Sequence, residues 1–129
     1  MIACLAALLL TASPDPSLYQ VKASVASPQV TVGGSTKLEL RFEVAKGAHI
    51  SDEAPLTIKL NGEGVSFEKP VLHYADALQP RGPGPRFEDL VTVNAAGQHT
   101  VDLELSFYVC TAELCNRASA HEKVTVAAK

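Results

Sequence analysis

A period-two alternation of apolar and polar residues is the feature of this sequence that most restricts its fold. The clearest stretch runs from Thr36 to Val44, where the even-numbered residues from Leu38 onward are apolar and the odd-numbered ones are charged. Successive side chains of a β-strand point to opposite faces, so this pattern is typical of a strand with one buried and one solvated face. No stretch keeps the helical period of about 3.6 residues. The sequence therefore predicts an all-β fold.

Turn residues divide the chain into short stretches of this kind. The expected strands cover residues 18–26, 29–32, 36–44, 56–60, 65–67, 70–74, 87–93, 98–109 and 118–126. The Asn61-Gly62 dipeptide tolerates the positive φ of tight turns and predicts a hairpin between the fourth and fifth of them. Residues 77–86 hold three prolines and two glycines, which predicts a long irregular loop. About seven to nine short strands with regular turns predict an antiparallel β-sandwich of immunoglobulin-like type.

Length and charge limit the classes of protein to consider. A chain of 129 residues is long enough for one domain with a core, and its low aromatic content of 5%, without tryptophan, predicts an aliphatic core. The formal charge of -3 is scattered, and no run of Lys or Arg is present. Nucleic acid is therefore not an expected partner, because binding it requires several clustered positive charges.

The first residues have the composition of an export signal. The apolar run from Ile2 to Leu10 is shorter than the about 20 residues that span a bilayer, but it fits the hydrophobic region of a signal peptide. We therefore expect residues 1–17 to be a signal peptide and junction, and residues 18–129 to be an immunoglobulin-like domain in the periplasm or outside the cell, without a transmembrane span. Cys4 would be removed with the signal. The alternative is an N-terminal segment packed on the core.

Export would leave two cysteines, Cys110 and Cys115, in the stretch S-F-Y-V-C-T-A-E-L-C-N. Two cysteines in an oxidising compartment predict a disulfide. Alternation places Cys110 on the same face as Tyr108 and places Cys115 on the same face as Arg117. Both faces point away from the expected core, so we expect both sulfurs to lie outside it.

Spacing alone leaves three uses for the pair open. A disulfide that closes about six residues contributes roughly 2 kcal/mol in the chain-entropy model, so a purely structural bond would stabilise little. A surface disulfide is open to attack by a thiolate, which would permit redox exchange. A metal site would add His121 to the two thiolates, but no second cysteine pair completes four ligands. No cofactor is expected.

The order of several motifs resembles a known family. K-G-A-H-I ends at Ile50 and is followed by Pro55-Leu56, by the irregular loop, and by F-Y-V-C-x4-C. Over residues 38–126 this order is similar to the N-terminal immunoglobulin-like domain of the thiol:disulfide interchange protein DsbD. The resemblance implies an extracytoplasmic thiol–disulfide oxidoreductase domain that passes electrons between thioredoxin-like partners. The expected partner is a thioredoxin-like protein or a membrane electron-carrier protein.

The resemblance also implies roles for particular residues. Cys110 and Cys115 would be the redox pair, and residues 79–87 would correspond to the loop that shields the cysteines in that family. Apart from the resemblance, Tyr108 is a candidate for shielding the pair.

Three arginines are candidates for tuning the thiols. Arg117, with Arg81 and Arg86 from the loop, would favour the thiolate. For each arginine the alternative is a solvated surface charge, and for Tyr108 it is a cross-strand contact. The alternative function is a non-enzymatic protein-binding β-sandwich with an inert disulfide.

Overall fold

A computed structural model describes residues 18–129, which form ten β-strands and a 3-10 helix at Tyr74–Asp76. The expected signal peptide and Cys4 lie outside the described residues. The strands are β1 (Tyr19–Val25), β2 (Gln29–Val30), β3 (Ser35–Val44), β4 (His49–Ile50), β5 (Thr57–Asn61), β6 (Val65–Phe67), β7 (Val71–His73), β8 (Arg86–Val93), β9 (Gly97–Cys110) and β10 (Cys115–Ala128). Nine of them correspond to expected strands, and β4 is the addition. No helix of the described chain is long and apolar enough to cross a membrane.

The strands form two sheets. The four-stranded sheet has the order β1-β3-β8-β6, and the six-stranded sheet has the order β2-β10-β9-β5-β7, with β4 also paired to β9. All pairings are antiparallel except that of β2 with β10. Lettering the seven principal strands β1, β3, β5, β6, β8, β9 and β10 as A to G gives the orders ABED and CFG, which are those of an immunoglobulin constant-type sandwich. The predicted all-β sandwich is therefore confirmed.

The core lies between the two sheets and follows the predicted alternation. In β3 the even-numbered residues Thr36 to Phe42 are buried and the odd-numbered ones are exposed. Phe42 of the four-stranded sheet makes an edge contact with Phe107 of the six-stranded sheet, with ring centroids 4.9 Å apart. Phe107 also meets the ring of Tyr19 at 5.3 Å. These aromatic contacts join the two sheets within a largely aliphatic core.

The predicted hairpin at Asn61-Gly62 is wrong. Strand β5 pairs with β7 and β9, whereas β6 belongs to the other sheet and pairs with β8. The chain therefore crosses between the sheets after Asn61. Gly62 is required for a different reason, because a Cβ there would lie 2.6 Å from the carbonyl oxygen of Thr100. The positive φ of the crossing, 77°, is at Gly64.

The loop of residues 77–86 packs beside the short strand β4. The Ile50 N–H donates to the Pro83 carbonyl at 2.9 Å, and the Phe42 N–H donates to the Pro85 carbonyl at 3.1 Å. On its other side Ile50 lies opposite Val109 of β9. Strand β4 exists because its backbone groups find partners on both sides, which no local sequence period could reveal.

Candidate functional site

A disulfide joins Cys110 and Cys115 at the end of the longest hairpin of the described chain. The S–S distance is 1.99 Å and the two Cα atoms are 4.0 Å apart. The cysteines face each other as the last pair of the β9–β10 ladder. The turn between them is closed by the Thr111 N–H, which donates to the Leu114 carbonyl at 2.9 Å. The pair therefore lies at the end of the β9–β10 hairpin, next to its turn.

The two cysteines differ in exposure. Only 3% of Cys110 is exposed, whereas Cys115 is an exposed residue. The reason is the position of their strands. Cys110 lies inside the sheet, between Cys115 on one side and His49 of β4 on the other, while β10 is an edge strand at this end. A partner can therefore approach Cys115 more easily than Cys110.

Both cysteines nevertheless lie on the face that alternation predicted. Cys110 follows the buried Val109, and it does not belong to the hydrophobic core cluster. Two positions along the β9–β10 ladder, where side chains point to the same face as the cysteines, Arg117 lies opposite Tyr108. Tyr108 is half-buried, and its carbonyl accepts a hydrogen bond from the Ser51 N–H at 2.9 Å. The structure thus brings Tyr108 and Arg117 next to the disulfide.

Arg117 is the cation nearest to Cys115 along β10. It is exposed, and within residues 18–129 it forms no ion pair. A positive charge favours the thiolate over the thiol, whereas the exposed Glu113 in the turn acts in the opposite direction. The charges around the pair are therefore mixed, with the arginine on the same sheet face as the cysteines.

The other two candidate arginines have different surroundings. The Arg81 guanidinium lies 5.4 Å from the ring centroid of Tyr74, and its Nη2 donates to the Ala75 carbonyl at 3.1 Å. Arg86 lies opposite Arg41 in the four-stranded sheet and is exposed on the outer face of that sheet. Arg81 is therefore engaged with the 3-10 helix, and Arg86 is on the far side of the sandwich from the cysteines.

The loop expected to shield the pair is separated from it by β4. Since the Pro83 carbonyl bonds to Ile50, the loop runs along the edge of β4 that faces away from β9. Two strand spacings of about 4.8 Å then separate the loop backbone from that of Cys110. Residues 79–87 support the strand beside Cys110.

A shared metal site is not compatible with the position of His121. It lies six positions along β10 from Cys115, which corresponds to about 20 Å. Its Nε2 lies 3.5 Å from the Oδ1 of Asp102. Within residues 18–129 no group of three or more His, Cys, Asp or Glu side chains is placed to hold a metal ion.

Comparisons with known proteins do not assign a family. No family model matches the chain, and no curated protein matches it significantly. The function is therefore inferred from the disulfide and its surroundings.

Proposed function

We propose that the chain is an extracytoplasmic thiol–disulfide exchange domain that passes electrons between thioredoxin-like partners through Cys110 and Cys115. The observation that carries this proposal is the place of the disulfide at the end of a hairpin, with Cys115 exposed on an edge strand. A bond that closes only a short loop contributes little to stability, about 2 kcal/mol. An accessible disulfide that stabilises the fold so little is suited to thiol–disulfide exchange.

The difference in exposure between the two cysteines determines the order in which they react. A thiolate of a reduced partner attacks the Sγ of Cys115, the Cys110–Cys115 bond breaks, and its electron pair leaves on the Sγ of Cys110, which takes up a proton. The second thiol of the partner then attacks the mixed disulfide at the partner's own sulfur and releases Cys115. The partner dithiol is oxidised by two electrons, and the cysteine pair is reduced. In the reverse direction Cys115 attacks an oxidised partner and Cys110 resolves the mixed disulfide.

The hairpin suits a pair that must open and close repeatedly. The β9–β10 ladder continues without interruption from Cys110–Cys115 to Gly97–Ala128, so it holds the two cysteines opposite each other whether or not they are bonded. Re-forming the bond then needs little further ordering of the chain. Arg117 supports the reaction by favouring the thiolate of Cys115.

Single-cysteine variants test which sulfur reacts. In Cys110→Ala the exposed Cys115 keeps its thiol but cannot be resolved within the chain, so we expect it to accumulate mixed disulfides with protein partners in cells. In Cys115→Ala the remaining Cys110 is buried, and we expect far fewer adducts. Non-reducing electrophoresis followed by mass spectrometry measures both. Absence of adducts from both variants would contradict exchange.

The alternative of a protein-binding sandwich with an inert disulfide draws support from one observation, the burial of Cys110. The reduction potential separates the two functions. A structural disulfide in a secreted protein typically has a potential below about -300 mV, and an exchanging pair lies above that value. Equilibration of the folded protein with dithiothreitol buffers measures it.

A further inference from the structure

Among the described residues, one edge of β10 has unpaired backbone groups beside the reactive cysteine, although β1 of the other sheet packs close to β10. Strand β10 pairs with β9 along its whole length, but β2 joins its other side only at Ala127 and Ala128. Within residues 18–129, no backbone hydrogen bond reaches that other side between Cys115 and Thr125. We call this side, from Cys115 to Thr125, the open edge of β10.

The phase of the ladder determines which residues offer hydrogen bonds at the open edge. The Tyr108 carbonyl bonds to Ser51, on the side of β9 away from β10, and the Ala127 N–H bonds to the Pro28 carbonyl, on the side of β10 away from β9. In an antiparallel ladder such residues form the non-hydrogen-bonded pairs. The odd-numbered residues of β10, including Cys115 and Arg117, therefore point their N–H and C=O groups toward the open edge.

We propose that an extended, cysteine-bearing segment of the redox partner adds as a further strand to the open edge of β10, with its cysteine opposite Cys115. Unpaired backbone groups on an edge strand are a template for strand addition, which is a recurrent mode of peptide recognition. This inference rests on the proposed function and specifies how the partner docks.

Strand addition would orient the three sulfurs for exchange. Residues directly opposite each other on neighbouring strands place their side chains on the same face, with strands about 4.8 Å apart. The partner sulfur, the Sγ of Cys115 and the Sγ of Cys110 would then follow one another across the sheet. The attacking thiolate approaches along the extension of the bond that breaks, and this row provides that alignment. Cys110 cannot be approached in this way, because β4 occupies its other side.

A proline substitution removes one edge donor without disturbing the β9–β10 ladder. The Arg117 N–H points to the open edge and has no bond to Tyr108, so Arg117→Pro spares the ladder, and edge strands tolerate proline. Two controls match it. Arg117→Ala keeps the N–H but loses the charge. Thr125→Pro removes a donor of the same phase, ten residues or about 33 Å from Cys115.

The experiment compares two reductants of the full-length oxidised protein. One is a nine-residue peptide with a central cysteine, and the other is 2-mercaptoethanol, which cannot form a strand. We expect Arg117→Pro to lower the ratio of the two second-order rate constants about five- to tenfold, the effect of one or two lost hydrogen bonds, and both controls to leave it within about twofold. An unchanged ratio in Arg117→Pro would overturn the docking proposal.

Modified peptides test the same proposal with the unchanged protein. In an antiparallel addition with its cysteine opposite Cys115, the peptide turns the N–H groups two residues from its cysteine toward β10 and those one residue away toward solvent. N-methylation two residues away should slow reduction, and N-methylation one residue away should not. Equal effects at both positions would exclude strand addition. If 2-mercaptoethanol cannot reduce the folded protein either, the exchange function itself fails.

Discussion

Asp89 is a buried carboxylate in the interior face of β8, with 5% of the residue exposed. Its Oδ1 accepts hydrogen bonds from the N–H groups of Lys69 at 3.0 Å and Leu90 at 2.9 Å, while its buried Oδ2 has no partner among residues 18–129. Burial raises the pKa of Asp89 above its ordinary value of 3.8, although the two N–H donors act against this. The carboxyl group of Asp89 therefore stays protonated to a higher pH in the folded state than in the unfolded state.

This shift predicts a pH dependence of stability. The contribution of Asp89 is fully present below pH 3.8 and is lost as the pH rises through the raised pKa of the folded state. Asp89→Asn cannot ionise, so we expect its stability relative to the natural chain to improve as the pH rises through that interval. Urea unfolding of both proteins at pH values on either side of the interval measures the difference.

Comparing Asp89→Asn with the natural chain also removes the contribution of Asp76 to the pH dependence of stability, which has the opposite sign. The side chain of Lys69 lowers the pKa of Asp76, whose contribution to stability is lost as the pH falls. That contribution is common to both chains and cancels. A free-energy difference between them that does not change with pH would contradict the assignment to Asp89.

At the cysteines, alternation predicted the face but not the exposure. The pattern of β9 and β10 predicted both sulfurs to lie outside the core, but Cys110 is as buried as the core residues, with 3% exposed. Cys110 is flanked by His49, which lies opposite it because β4 pairs with β9. A strand of two residues has no period to detect, and its position is fixed by contacts with residues distant in sequence. The difference between the two cysteines could therefore not be predicted locally.

At the scale of elements, the crossing from β5 to β6 depends on Gly64. Its φ is 77°, which L-residues other than glycine rarely adopt, and a Cβ there would overlap the imidazole of His99. That ring is held between the carbonyls of Glu63 and Ala95 by contacts of 3.0 Å and 2.8 Å from its nitrogens. The ring therefore cannot move aside without losing these contacts, one of which is a hydrogen bond donated by the single N–H of the neutral imidazole.

We expect Gly64→Ala to destabilise the protein by more than the about 1–2 kcal/mol that a left-handed alanine costs. Gly82→Ala is the matched control, because Gly82 has a φ of 58° and, in the part of the chain that the structure describes, no atom lies within 4 Å of the added Cβ. Urea unfolding compares them. Equal losses in the two variants would show that His99 yields and that only the backbone conformation matters.

The same crossing shows what turn chemistry can and cannot predict. Asn61-Gly62 correctly marked the end of β5, because both residues suit a change of chain direction. It did not identify the partner of the next strand. The choice between β5 and β8 as the partner of β6 is decided by which pairing completes the sandwich, and that is a property of the whole core.

At the scale of the whole molecule, the sheets are held together without help from the disulfide. Phe107 is fully buried and meets Phe42 of the opposite sheet, whereas Cys110 stands outside the core cluster. Alternation predicted the fold class. The strand order followed only from the pairing of distant segments. A scaffold that is stable without its disulfide is what repeated exchange requires.

The stability of the reduced protein tests whether the fold depends on the disulfide. We expect Cys110→Ala/Cys115→Ala to lose about 2 kcal/mol of unfolding free energy, the value for closing so short a loop, and to keep a cooperative transition. Phe107→Ala is the comparison, with an expected loss of about 3–5 kcal/mol because it leaves a cavity between the sheets. Urea unfolding of both variants, and of the natural chain with and without dithiothreitol, gives these values. If the double variant lost its cooperative transition, the disulfide would be part of the scaffold, and a domain that unfolds on reduction could not serve as a reversible electron carrier.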